Sequence, residues 1–214
     1  MVRNKRLTFL ASLIKDYPVV CDIGSDHGYV LEMAFKTGTI QKGIATDVRD
    51  MPLQSAMKTL ENYPVRAILS DGFLAIDEPF DAAVVAGMGA HLIAEIMEHA
   101  PHHKAIYVLQ SNDKIAYLRD RLITLGFQII DEHVIHDRFY YVILVVKSGT
   151  MKLNHEDLYI GPFLKHKPET KSYVEHRLRQ LKKIMDVADE MKKQAFFDEW
   201  NTLKTWLEDR VSKD

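Results

Sequence analysis

The stretch VVCDIGSDHGYV, Val19 to Val30, decides how the rest of the chain reads. An apolar run broken only by Asp22 ends at Gly24, passes through a short turn and gives way to helical spacing from Tyr29 to Thr37. A strand that enters a helix through a glycine turn is the cradle of a nucleotide-like ligand, because backbone N–H groups face the ligand and no bulky side chain blocks it. Here the turn carries Asp26 and His27 where a third small residue would usually sit. The pattern Asp22-x-Gly24-x-Asp26-x-Gly28 is not GxGxxG, and no GxxxxGK[ST] loop occurs anywhere, so a nucleoside triphosphate is disfavoured.

Outward from this stretch, strands and helices alternate. A helix over Arg6 to Asp16 places Leu7, Leu10, Ala11 and Ile14 on one face, ahead of the Val19–Ile23 strand. Gly43 to Val48 is a second strand, Pro52 to Asn62 a helix, and Val65 to Leu69 a third strand ending in Ser70-Asp71-Gly72. A fourth strand, Phe80 to Ala86, ends in Gly87-Met88-Gly89 and leads to the helix Ala90 to His99. A fifth, Lys104 to Leu109, ends in Gln110-Ser111-Asn112 and leads to the helix Lys114 to Leu125. Then the pattern changes. Phe127 to Ile135 and Phe139 to Lys147 are joined by a short turn, so they pair antiparallel. Five β/α units closed by a β-hairpin predict an α/β fold with a seven-stranded, mostly parallel sheet of the Rossmann-like methyltransferase type.

Gly149 to Gly161 is turn-rich, and a boundary is expected there: residues 1–150 form the sheet domain, residues 151–214 a linker and a helical domain. In the second part Val174, Leu178, Leu181, Met185 and Ala188 step at helical spacing, as do Phe196, Trp200, Leu203 and Leu207. Two amphipathic helices folded into an antiparallel coiled-coil hairpin would bury both stripes.

Composition narrows the class without naming it. The 214 residues, 47% hydrophobic and 27% charged, suit one full core plus an appendage. A net charge of −2 means that any nucleic-acid contact must come from a local basic patch. The single cysteine, Cys21, lies in the apolar run as an inert thiol and leaves no disulfide framework and no Cys-rich zinc site. No leader and no run of ~20 apolar residues is read, so a cytoplasmic location and no membrane are expected.

In an open parallel sheet, ligands sit beyond the carboxyl ends of the strands. Every strand end here carries an acid, a glycine or an amide. Asp47 closes the second strand, where an acid takes ribose hydroxyls. With Asp22, Asp26 and Asp71 it makes an acidic pocket that would repel the pyrophosphate of a dinucleotide but suits the cationic sulfonium of S-adenosylmethionine (SAM). The expected cofactor site is Asp22, Gly24, Ser25, Asp26, His27, Asp47, Val48, Asp71, Gly72, Gly87 and Met88.

The motifs DIGSDHGY at Asp22–Tyr29, SDG at Ser70–Gly72, AGMGA at Ala86–Ala90 and LQSN at Leu109–Asn112, followed by the charged helical tail, resemble the TrmK family of bacterial tRNA (adenine-N1)-methyltransferases, which modify adenine 22. The resemblance spans essentially the whole chain. Family members commonly read DHAY, AGMGG and QPN where this chain has Gly28, Ala90 and Ser111. The resemblance implies SAM as cofactor, tRNA as substrate, no metal, and a coiled-coil tail; no obligate protein partner is evident.

Methylation of adenine N1 needs no strong base, because that nitrogen already carries an in-plane lone pair. It needs alignment, and stabilisation of a base that becomes cationic. Asp26 is the expected catalytic residue, accepting from the exocyclic amine. His27 is expected to hydrogen-bond a neighbouring strand end and hold the loop in shape. Arg3, Arg6, Tyr29, Gly89, Asn112, Lys167 and Arg177 are the expected substrate contacts, with Lys5, Lys165, Lys171, Arg179, Lys182 and Lys183 adding positive charge. Two alternatives stand beside this reading: methylation of another RNA or a small molecule, and a non-enzymatic scaffold binding a partner through Tyr173, Phe196, Trp200 and Trp206.

Overall fold

The left-handed backbone of Gly24 and Gly28 lets the first strand turn sharply into a helix, and the rest of the sheet is arranged around that crossover. The computed structural model describes residues 5–211. The chain divides into two compact units, Met1–Met151 and Lys152–Asp214.

The first unit contains α1 (Lys5–Ile14), β1 (Val19–Ile23), α2 (Tyr29–Thr37), β2 (Lys42–Asp47), α3 (Asp50–Thr59), β3 (Val65–Leu69), β4 (Ala82–Met88), α4 (Ala90–Glu98), β5 (Ile106–Ser111), α5 (Ile115–Thr124), β6 (Phe127–His136) and β7 (Tyr140–Ser148). The sheet order is β3-β2-β1-β4-β5-β7-β6. The first five strands are parallel; β7 runs antiparallel between β5 and β6. Strand order reverses between β1 and β4, which opens a crevice at their carboxyl ends.

Burial explains the order. β1, β2, β4 and β5 are buried along nearly their whole length, as strands covered on both faces are, whereas β6 at the edge alternates buried and half-buried residues. α1 lays Leu10, Ala11 and Ile14 beside Val30, Leu31 and Ala34 of α2 in one core cluster, each large side chain contributing roughly 1.5–3 kcal/mol. β4 and β5 run two residues further than the apolar pattern indicates. Gly87, at φ 83°, bulges the strand so that pairing resumes at Met88 with Ser111. α3 starts at Asp50 rather than Pro52, since a proline in the first turn has no helical partner for its missing N–H anyway. The ion pair between α5 and β6 is fully enclosed: Arg119 Nε donates to Glu132 Oε1 at 2.8 Å, and neither side chain has any exposure.

In the second unit the segment expected to be turn-rich contains α6 (His155–Tyr159). Asn154 and Asp157 cap it reciprocally, at 2.8 and 3.1 Å. A single 3-10 turn, Leu164–His166, precedes α7 (Thr170–Val187) and α8 (Glu190–Val211). Val174 and Leu181 pack with Leu203, Trp206 and Ile160. Trp206, which falls outside the heptad-like stripe of the sequence, is 6% exposed and part of this core. Among the described residues no helix is long and apolar enough to cross a membrane.

Candidate active site

The β1–α2 turn is built from strained backbone. Gly24 (φ 71°), Asp26 (φ 48°) and Gly28 (φ 73°) all lie in the left-handed region. A side chain at Gly24 would run into the terminal methyl of Met88, and one at Gly28 would come within 2.8 Å of Leu60 Cδ1. The glycine at position 28 therefore fits this chain's packing against Leu60 and the end of α3. Asp26 is the only one of the three with a Cβ; aspartate and asparagine tolerate that region better than other such residues. The turn is pinned by Ser25 N–H to the Thr46 carbonyl and Gly28 N–H to the Ser25 carbonyl, both at 2.8 Å.

The carboxylates differ in setting. Asp22 is 5% exposed and accepts from Ser25 Oγ at 2.8 Å. Burial pushes its carboxyl up to about 6, with the Ser25 bond pulling the other way. Asp47 is also buried; its Oδ1 accepts the Arg49 N–H at 3.0 Å, which leaves Oδ2 with no partner among the described residues. Asp26 is open to solvent, its Oδ2 3.7 Å from His27 Nε2. His27 corrects one expectation: its Nδ1 meets Ser55 Oγ of α3 at 2.8 Å, not a strand end, and its ring stacks on Tyr29 at 5.4 Å. Cys21 is fully buried, and burial pushes its thiol up, so it has no nucleophilic character.

A cleft of about 660 Å³ lies over these strand ends. It brings together Asp22, Gly24, Ser25, Asp26, His27, Asp47, Val48, Asp71, Gly72, Gly87 and Met88, with Arg6 and Tyr29. Gly89 is the N-cap of α4, just beyond the cleft. Asn112 is held by its Nδ2 on the Gly87 carbonyl at 2.7 Å. Arg3 lies outside the described residues. Lys167 and Arg177 belong to the second unit, where Arg177 is bound in a fork to Glu199 at 2.6 and 2.9 Å, joining α7 to α8. Desolvation works against that guanidinium's charge, but the carboxylate wins and keeps it above its ordinary value.

Several lining residues were not legible. Arg49, Ser70, Leu92 and Ile96 also line the cleft. Leu92 and Ile96 sit one turn apart on α4, a spacing that reads as core, yet Leu92 is half exposed. Gln110, wholly buried, accepts from Arg6 Nη1 at 2.7 Å and donates to Asn112 Oδ1 at 3.1 Å. Arg6, which also lies over the Tyr141 ring at 5.5 Å, is thus aimed into the cleft by neutral partners. Among the described residues no cluster of His, Cys, Asp and Glu is arranged to hold a metal ion.

Known proteins share this architecture. A Bacillus subtilis (strain 168) tRNA (adenine(22)-N(1))-methyltransferase is 31% identical over 176 residues, covering 75% of this chain and 74% of that protein. The crystal structure of the B. subtilis m1A22 tRNA methyltransferase TrmK superposes with a TM-score of 0.80 at 27% identity, covering 95% of this chain and 97% of that one. A Streptococcus pneumoniae protein crystallised in complex with S-adenosyl-L-methionine superposes with a TM-score of 0.84 at 30% identity, over 95% and 99% of the two chains. The sequence model of the tRNA (adenine(22)-N(1))-methyltransferase family matches residues 20–210, which takes in the glycine turn, all four acids and both long tail helices. With 31% identity over three quarters of a curated relative added to that match, the chain belongs to the TrmK family of tRNA (adenine(22)-N(1))-methyltransferases.

Proposed function

We propose that the cleft between the β1 and β4 ends binds S-adenosylmethionine and that the chain methylates N1 of adenine 22, in the D-arm region of tRNA, with Asp26 as the residue that handles the adenine. The convergence of Asp22, Asp26, Asp47 and Asp71 on one glycine-walled cleft carries this reading. Carboxylates in that number favour a ligand that is cationic and has ribose hydroxyls but no pyrophosphate. The unpartnered Asp47 Oδ2 is suited to a ribose hydroxyl, and the buried Asp22 to positive charge. When bound, S-adenosylmethionine supplies an electrophilic methyl on a cationic sulfur.

This chain's own residues then have defined tasks. Asp26 accepts a hydrogen bond from the adenine amine, orients the ring, and stabilises the positive charge that the base acquires. No proton has to leave N1, so no strong base is needed. His27, clamped between Ser55 and Tyr29, holds the turn that presents Asp26. Arg6, Tyr29, Gly89 and Asn112 border the side where RNA enters, and the base reaches the cleft turned out of its stack or unpaired. Lys167, Arg177 and the basic residues of the tail assist RNA binding. We assign the catalytic domain to residues 1–150 and the tail to 151–214, and place the chain in the cytoplasm, where it acts without an obligate protein partner. The aromatic residues on which partner binding would depend, Tyr173, Phe196, Trp200 and Trp206, pack in the tail's own core.

Labelled methyl should pass from SAM to bulk bacterial tRNA and to a tRNA transcript, and a transcript with adenine 22 replaced should take none. Methyl uptake by the replaced transcript would move the target. Asp47→Ala should weaken SAM by ~1–3 kcal/mol through loss of a charged acceptor; unchanged affinity by calorimetry removes Asp47 from the site.

Asp22 gives a pH-dependent counterpart. Its folded-state carboxyl, at about 6, lies above the unfolded value near 3.9. Its contribution to stability is therefore full below about pH 4 and is lost as pH rises through 6. Asp22→Asn should stabilise the ligand-free protein by ~1–2 kcal/mol at pH 7.5 and by nothing near pH 4, while weakening SAM. A urea midpoint that does not rise at pH 7.5 contradicts the burial effect.

A further inference from the structure

The loop after β5 is laced to the loop after β4 rung by rung. Asn112 donates its backbone N–H to the Met88 carbonyl at 2.9 Å and its Nδ2 to the Gly87 carbonyl at 2.7 Å. The Ala90 N–H donates to Asp113 Oδ1 at 2.8 Å, and Lys114 Nζ donates to His91 Nε2 at 3.0 Å. The inner rung borders the cleft, because Gly87 and Met88 line it. The outer rung, Lys114 with His91, is exposed.

That outer rung differs from an ordinary surface contact in two ways. Lys114 has a left-handed backbone, φ 42°, which costs a residue with a Cβ about 1 kcal/mol or more and is drawn to functional sites. Its ammonium also has no carboxylate partner among the described residues, whereas Lys36, Lys42, Arg66, Arg121 and Lys165 each rest on one. An imidazole steers it instead, and that imidazole is tilted on the Tyr117 ring at 4.2 Å. An ammonium has no lone pair, so Nε2 of His91 must be the acceptor and Nδ1 carries the proton. The rung thus offers a fixed ammonium, Lys114 Nζ on His91 Nε2, with N–H donors left over, while Asp113 Oδ1 is turned to the Ala90 N–H. These are the requirements for an anionic oxygen.

We infer that Lys114 holds a phosphodiester of the RNA strand next to the target nucleotide, with His91 Nε2 steering the ammonium and Tyr117 fixing the plane of the imidazole. The inference rests on tRNA being the substrate. The backbone strain at Lys114 is offset by the register of the two loops, which sets the cation at the edge of the reaction cleft rather than free on a solvated helix.

The test uses the full chain and an unmodified tRNA transcript, with binding measured across a range of salt. Lys114→Asn removes the charge yet suits a left-handed backbone. It should raise the dissociation constant about 5- to 10-fold near 0.15 M salt and make the slope of log affinity against log salt shallower by ~0.7–0.9, as for one lost phosphate contact. SAM affinity by calorimetry and the melting temperature should not change. Lys114→Arg should keep the wild-type slope. His91→Phe, which preserves a ring on Tyr117 but removes both nitrogens, should weaken RNA binding without changing SAM affinity. An unchanged salt slope in Lys114→Asn overturns the inference, as does a loss of SAM affinity, which would make the rung part of the cofactor site. A wild-type protein that neither binds nor methylates tRNA overturns the substrate reading and this inference together, and the wild-type arm alone distinguishes that outcome.

Discussion

Asp26→Asn is expected to keep the fold and most of the affinity for SAM while single-turnover methylation of tRNA at saturating SAM falls by ~100-fold or more, the scale of one positioned electrostatic group. Three features make this substitution informative. Asparagine is nearly isosteric, it tolerates the left-handed backbone at φ 48° as aspartate does, and the carboxylate is 62% exposed, so little packing is at stake. Alanine would mix a backbone penalty of roughly 1 kcal/mol into the result. If Asp26 merely contacts the methionine moiety of SAM, the loss would appear as a raised SAM dissociation constant and saturating SAM would restore the rate. A near-wild-type rate under that condition would sink the catalytic role.

Arg119→Met should destabilise the first unit by ~3–5 kcal/mol, because it takes the guanidinium away from a carboxylate that no water reaches. That is a large fraction of a typical domain's total stability, so the urea midpoint should drop steeply or the protein fail to accumulate. The double variant Arg119→Met with Glu132→Leu removes both charges and should recover most of the loss, since replacing a buried pair with apolar residues is often near neutral. The ion pair joins α5 to β6, on the far side of β7 from the parallel strands. A single variant within 1 kcal/mol of wild type, or a double variant no better than the single, would show that the pair does not anchor the edge strand.

Much of the site could be read from residues because its signals are local. Each parallel strand is followed by its own acid, glycine or amide, and these ends must converge once the strands are parallel. Asp22, Asp26, Asp47, Asp71 and Gly87 were placed in one pocket by that rule, and the structure brings all of them to one cleft. The rule has nothing to say about residues inside a strand or on a helix face. Gln110 lies within β5 and reads as a misplaced polar residue, but it holds Arg6 and Asn112 in position. Ser55, on the outer part of α3, gives no sign that it is the partner of His27.

By itself, then, the amino-acid sequence determined the element types and order of the sheet domain, the closing hairpin and the acidic, glycine-rich strand ends, because periodicity, turn chemistry and backbone conformation depend on near neighbours. It did not determine that β7 rather than β6 lies against β5, that Lys114 meets His91, or that Arg119 meets Glu132. Those pairings depend on which surfaces are left to be covered after the sheet has formed, and on charges that find partners only when distant segments are packed together. The tertiary structure decided them, because burying an edge strand, an unpaired guanidinium or an unaligned loop costs more free energy than the local preferences of the chain can offset.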